Sequence, residues 1–211
     1  TPKPSSAASD VYKRQVVNPS VPADNAQALI AYAKKNPDKL SYASSGNGAS
    51  SHLAGILFNK MAGTQIMHIP YKGTGPALND LLGGQVSMSF TDILTALPYI
   101  KAGKLRAIGL ASAQRSEALP DLPTLSEQGL KGYDVSVFFG IVAPKDTPAD
   151  VVNTLNQAFK TALSDPAIKQ TLHSQGIVEA QDQTPQGLAA FITTEVPKWR
   201  ELITSANVSI D

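Results

Sequence analysis

From Val16 to Ala111 short apolar runs alternate with amphipathic ones, and this alternation confines the chain to α/β architecture. A helix is predicted over 25–35, capped by Asp24, with Leu29, Ile30 and Ala33 on one face and Asn36-Pro37 as its stop. A strand over 40–43 leads through a glycine loop to a helix over 52–62. The apolar face of that helix is Leu53, Ile56, Leu57 and Met61, and Gly63 ends it. A strand over 65–71 follows, then Lys72-Gly73-Thr74-Gly75 and a short helix from Pro76, where proline suits the first turn. Gly83-Gly84 breaks to a strand over 86–90, a helix over 94–102 and a strand over 106–111. Residues 112–123 read as a loop stiffened by Pro120 and Pro123, and 133–144 as a longer β-like run crossing between domains.

The last third is mostly helical and uses one starting device three times. Thr147-Pro148, Asp165-Pro166 and Thr184-Pro185 each place a capping side chain before a proline. Val151, Val152, Leu155, Phe159 and Leu163 form one apolar stripe. Leu188, Phe191, Ile192, Trp199, Leu202 and Ile203 form another, with a kink expected at Pro197. Such stripes need a sheet to cover, and little sheet remains in this third. A preceding half-domain would supply it.

Length and composition narrow the function classes. With 211 residues the chain makes one large domain or two small ones and buries a real core. Its 18 basic and 17 acidic residues leave a net charge of +1 with no basic block, which argues against nucleic acid as a partner. No apolar run approaches the roughly 20 residues of a membrane span. With no Cys there are no disulfides, thiolate metal sites or cysteine nucleophiles, which fits an oxidising compartment without demanding one.

Residues 1–15 read as a non-native or disordered tail. Residues 1–10 are rich in Pro, Ser and Ala with no signal-peptide core, and Asp10-Val11-Tyr12-Lys13-Arg14-Gln15 has neither helical nor strand periodicity. That hexapeptide is what a transposase-type sequencing adaptor encodes in frame. On this reading authentic sequence begins near Val16 and the natural N-terminus lies upstream; a natural disordered tail is the alternative.

Candidate chemistry sits in loops. Ser44-Ser45-Gly46-Asn47-Gly48-Ala49-Ser50-Ser51-His52 joins a strand to a helix, so amides and hydroxyls gather at a helix N-terminus and suit an anion, most simply a carboxylate. The loop lacks Gly-Lys-Ser/Thr, so it is no P-loop. A polar turn capped by serine is the other reading. Tyr71, Lys72, Gly73 and Thr74 also end a strand and start a helix, where ligands of open α/β sheets gather. A structural turn with a solvated lysine is the alternative there. Asp92 is read either as an acceptor for a ligand or as a helix cap, and Phe138 either as a cleft wall or as core. His52, His68 and His173 are scattered without metal-ligand spacing, so no metal is expected. Ser50 or Ser51 with His52 lacks an orienting group and a Gly-x-Ser-x-Gly elbow, so no catalytic residue is expected.

Taken in order, several motifs resemble one family. They are Tyr42-Ala43-Ser44-Ser45-Gly46-Asn47-Gly48, His52-Leu53-Ala54-Gly55, Pro70-Tyr71-Lys72-Gly73 and Leu81-Leu82-Gly83-Gly84-Gln85-Val86. Ile100-Lys101-Ala102-Gly103-Lys104-Leu105-Arg106-Ala107, Leu119-Pro120-Asp121-Leu122-Pro123-Thr124 and Gly129-Leu130 complete the set. The chain is similar from about Val16 to Asp211 to the extracytoplasmic solute receptors of tripartite tricarboxylate transporters, the Bug-type family.

The resemblance implies a two-lobe, periplasmic-binding-protein-like clamp of type II. Residues 16–136 would be the second lobe and 137–211 a crossing strand with the C-terminal helical part of an incomplete first lobe. It implies a periplasmic, monomeric, non-enzymatic receptor without cofactor, carrying a signal peptide upstream. Such a receptor would capture a dicarboxylate, amino acid or aromatic acid and deliver it to a membrane permease. Ser44, Ser45, Gly46, Asn47, Gly48, Ser50 and His52 fall on the family's carboxylate loop, and Tyr71, Lys72, Gly73 and Thr74 on its second ligand loop. Asp92 falls beside the cleft. Ala49 stands where Thr is common and Phe138 where Trp is common, so the ligand itself stays open. The ligand-sensing domain of a transcription regulator and, less favoured, a small α/β hydrolase remain the alternatives.

Overall fold

The computed structural model describes residues 3–4, 9–11, 13–116, 119–174 and 177–205. The chain divides into two compact units. One comprises the residues up to Val11 with Val137–Glu201, and the other runs from Tyr12 to Ser136 with the residues from Leu202 onward.

In chain order the strands are β1 (Lys3–Pro4), β2 (Ser9–Val11), β3 (Lys13–Val17), β4 (Ser41–Ser44), β5 (Met67–Pro70), β6 (Met88–Asp92), β7 (Arg106–Leu110), β8 (Val137–Phe139), β9 (Val142–Ala143) and β10 (Ile177–Glu179). The helices are α1 (Ala26–Lys35), α2 (Ser50–Ala62), α3 (Thr74–Leu82), α4 (Ile93–Lys101), α5 (Ala149–Leu163), α6 (Pro166–Ser174) and α7 (Pro185–Ser205).

The larger unit holds a five-stranded sheet of order β5-β4-β6-β3-β7. β4 runs parallel to both β5 and β6, so each parallel step needs a helical crossover, supplied by α2 and α3. Antiparallel β3 lies between β6 and β7. Side chains alternate across β4. Ala43 packs with Val16, Leu78, Leu81, Val86 and Leu105 on one face, while Tyr42 meets an aromatic group of Phe90, Phe58 and Tyr133. Gly55 of α2 is where the helix closes on Tyr42, because a Cβ there would lie 2.2 Å from its ring.

Several expectations are corrected. Asn25, not Asp24, caps α1, its side chain accepting from the Ala28 amide at 2.9 Å; Asp24 pairs instead with Arg106 at 3.3 Å. The run over 133–144 is two short strands, β8 and β9, rather than one long one. Of the three Pro-led starts, Asp165 and Thr184 accept amides of α6 and α7, but Thr147 does not cap α5, whose cap position is Pro148. α7 continues through Pro197, the position where a kink is expected, without ending there. Within the predicted loop over 112–123, residues 117 and 118 lie outside the described residues.

Of the tail over 1–15, residues 1, 2, 5–8 and 12 lie outside the described residues. Residues 10, 11 and 13–15 stand in strands, contrary to the reading without strand periodicity. β3 is an inner strand, and its Arg14 and Gln15 are fully buried. Among the described residues Arg14 Nε, Nη1 and Nη2, Gln15 Oε1 and Thr91 Oγ1 find no hydrogen-bond partner. Burial lowers the Arg14 guanidinium to about 10 against the opposing pull of Asp92. An ionised group buried without partners is costly, so polar residues occupy places that an apolar pair would fill better. The ladder to β7 shifts register between Gln15 and Val16, where periodic sequence begins.

The smaller unit has the two-stranded sheet β1-β9 and the three-stranded sheet β10-β2-β8. Its helices bury little: Val152 and Asn156 in α5, nothing in α6, and Leu188 in α7.

Candidate carboxylate site

The carboxyl ends of parallel β4 and β5 carry the two candidate loops, each running into a helix N-terminus, α2 or α3. The loops are joined: the Tyr71 amide donates to Ser44 O at 3.0 Å and the Gly73 amide to Ser45 O at 3.1 Å. Gly46 has φ 143°, a backbone conformation that favours glycine, and a Cβ there would meet the Tyr71 carbonyl only at an ordinary contact distance of 3.5 Å.

The loop amides are already partly committed. Ser45 N donates to Ser51 Oγ at 3.0 Å, Gly46 N to Ser44 Oγ at 3.2 Å and Gly48 N to His52 Nδ1 at 3.1 Å. Ala49 N donates to Gly46 O at 3.2 Å. What remains is the first turn of α2. Its cap position is Ala49, which offers no side-chain acceptor, and the first intrahelical amide is Leu53 N to Ala49 O. Among the described residues no acceptor answers the amides of Ser50, Ser51 and His52. α3 starts likewise at Gly73 without a side-chain cap. Two uncapped helix N-termini on hydrogen-bonded neighbouring loops direct amides and partial positive charge to one end of the sheet.

The other expected residues divide. Asn47 and Lys72 are exposed at this end. Tyr71 donates its phenolic proton to Asp80 Oδ2 at 2.7 Å. Partial burial, with the hydrogen bond and charge of Asp80, pushes that phenol up to about 12. Its hydroxyl proton is therefore spent on α3. Asp92 takes the cap position of α4 without a side-chain cap bond. Phe138 lies in the other unit, on β8, edge-on to Phe191 with centroids 4.8 Å apart.

Three contributors escaped the sequence reading. Ser51 supplies the acceptor for Ser45, as stated. Tyr42 and His68, paired across β4 and β5, stack at 4.9 Å, and His52 lies on His68 at 3.8 Å and 7°. The histidines read as scattered include two that touch; only the parallel register, invisible in sequence spacing, brings them together. Burial and the neighbouring His52 hold the His68 imidazole down at about 4, and burial lowers His52 as well. No helix among the described residues is long and apolar enough to cross a membrane, and no group of three or more His, Asp or Glu gathers at metal-binding distance among them.

Comparison with known proteins gives the family and the fold. Residues 9–208 match the tripartite tricarboxylate transporter family receptor. The UPF0065 protein of the tcbD-tcbE intergenic region in Pseudomonas sp. (strain P51) is 38% identical over 188 residues, covering 87% of this chain and 56% of its own length. The chain thus spans about half the length of that curated relative. Among solved structures, the periplasmic binding protein BugD superposes with a TM-score of 0.85 at 37% identity, covering 98% of this chain and 70% of its own. Rpa4515 of R. palustris, solved with adipate, gives a TM-score of 0.87 at 29% identity, covering 98% and 69%. With a periplasmic-binding-protein-like α/β fold and a family match over nearly its whole length, the chain belongs to the Bug-type receptors of the tripartite tricarboxylate transporter family.

Proposed function

We propose that this protein is a periplasmic receptor that captures a small carboxylate, a dicarboxylate being the leading class, for delivery to a membrane permease, and that it performs no catalysis. The observation that carries the reading is the pair of uncapped helix N-termini, α2 and α3, on loops tied by the Gly73–Ser45 hydrogen bond. One carboxylate would accept from the amides of Ser50, Ser51 and His52, with the hydroxyls of Ser45 and Ser50 and the charge of Lys72 alongside. A charge-assisted hydrogen bond is roughly twice as strong as a neutral one, and helix N-termini need no reorganisation to receive an anion. The adipate found with Rpa4515 supports the choice of a dicarboxylate.

The test is calorimetric titration of the chain with adipate, malate, aspartate and benzoate. Gly48→Asp sets a negative charge beside the anion and is expected to abolish binding. Ser45→Ala removes one hydroxyl near a charged group and is expected to weaken binding about tenfold. Affinity unchanged in both variants, or no binding of any acid by the parent chain, would sink the proposal.

A further inference from the structure

The geometry points to His68, outside the loops themselves, as the residue that sets the shape of the carboxylate loop, acting through Ser44 and through the ring of His52. This rests on the receptor reading above and concerns how that site is held.

Hydrogen-bond accounting fixes the ring protons. Ser44 Oγ has three contacts: the Gly46 amide at 3.2 Å, the Gly46 carbonyl at 3.1 Å and His68 Nε2 at 2.6 Å. A hydroxyl donates once and accepts twice. All three contacts are satisfied only when the Gly46 N–H and the His68 Nε2–H both donate to the oxygen while its own proton goes to the Gly46 carbonyl. Were Ser44 to donate to His68 instead, its oxygen would face the Gly46 carbonyl at 3.1 Å with no proton between them, leaving that carbonyl the Ala49 amide as its donor. His52 is fixed independently, since its Nδ1 accepts from the Gly48 amide and so carries no proton. His52 is therefore neutral with its proton on Nε2, and His68 carries a proton on Nε2 and is neutral at ordinary pH because burial and His52 hold its pKa at about 4.

The two rings lie face to face between Tyr42 and the loop, so His68 holds both ends of the turn. Through Ser44 it orders both peptide groups of Gly46, the residue at φ 143°. By stacking it orients the His52 ring whose Nδ1 receives the Gly48 amide. The downward shifts agree with neutral rings, burial lowering both and the neighbouring His52 lowering His68 further.

The experiment separates donor from stack. His68→Gln keeps an N–H near the position of Nε2, whereas His68→Phe keeps a ring against Tyr42 and His52 but donates nothing. Nitrogen and amide NMR on the 211-residue chain reads the ring tautomers and the Gly46 and Gly48 amides, with or without ligand. Expected are Nε2–H tautomers on both histidines, shifted and faster-exchanging Gly46 and Gly48 amides in His68→Phe, and near-parental amides in His68→Gln. In adipate titration His68→Phe is expected to lose about fivefold to tenfold in affinity and His68→Gln less than about threefold. Unmoved Gly46 and Gly48 amides in His68→Phe, or a proton on His52 Nδ1, would overturn the inference even if adipate binds. Moved amides in a chain that binds no acid would support the inference while removing the receptor reading. Should His68→Phe fail to fold, the parental tautomers and the His68→Gln amides still decide.

Discussion

In the five-stranded sheet Val16, Val17, Ala43, Met88 and Leu110 are wholly buried, whereas Val151 and Leu155 on α5 stay 42% and 41% exposed. Both regions carry apolar patterns of comparable strength in sequence. The difference lies in what each pattern meets. Parallel strands present two faces and attract helices to both, so β4 and β6 are closed in by their own crossovers. The helices α5 and α6 present one face each, and the strands of their unit are only two or three residues long. An amphipathic helix is stabilised by the surface it covers more than by its own propensity, so the same stripe closes a core in one region and leaves it open in the other.

The comparison breaks most sharply at Arg14, the flaw in the well-buried region. Replacing an unpartnered buried charge by a residue of similar volume removes a penalty on the order of 3 kcal/mol. Arg14→Leu is expected to raise the unfolding free energy by about that amount in denaturant titration. A loss of stability would mean that the guanidinium has a partner after all.

Next comes Gly55. A Cβ 2.2 Å from the Tyr42 ring must push it aside, so Gly55→Ala is expected to cost about 1–3 kcal/mol and to disturb the His68 stack. A neutral result would show that the aromatic group repacks freely.

A paired test on α5 addresses the open region directly. Val152→Ala removes two buried methyl groups and is expected to cost about 1.6 kcal/mol, whereas Leu155→Gln at an exposed position is expected to stay within about 0.5 kcal/mol. Equal effects would show that the stripe is covered in solution. In that case the exposed apolar residues Val151, Leu155 and Ile168 would also fail to bind a hydrophobic dye.

Acidification gives the smallest and most graded effect. His68 and His52 have folded-state pKa values below the ordinary 6.5, so below that pH the unfolded chain binds more protons than the folded one. Their contribution to stability is full above pH 6.5 and is lost as pH falls towards about 4. Thermal melts across pH 7 to 4 should show this fall weakened in His68→Gln; an identical fall would assign it to other groups.

Much of the larger unit is legible in sequence because its signals are local. The glycine at 63 adopts φ 62° and ends α2, and the apolar runs place β4, β5, β6 and β7, though not β3, within two or three residues. Asp165 and Thr184 cap as their spacing predicts. Local rules fail where neighbours compete. Asp24 loses the α1 cap to Asn25, one residue nearer the helix, and turns to Arg106. Tyr71 looks like a ligand donor from its loop but is drawn down to Asp80, one helix away.

The α/β class and the position of the candidate anion loop were legible in the sequence alone, because glycine spacing, helix starts and strand periodicity act over a few residues, and the family was legible in the order of its motifs. Tertiary structure alone decided which loop amides are free and which are spent. It also decided that His52 meets His68, and that Arg14 and Gln15 enter an inner strand. Those outcomes depend on strand order and parallel register, which bring together residues far apart in the chain, and no local propensity encodes that pairing.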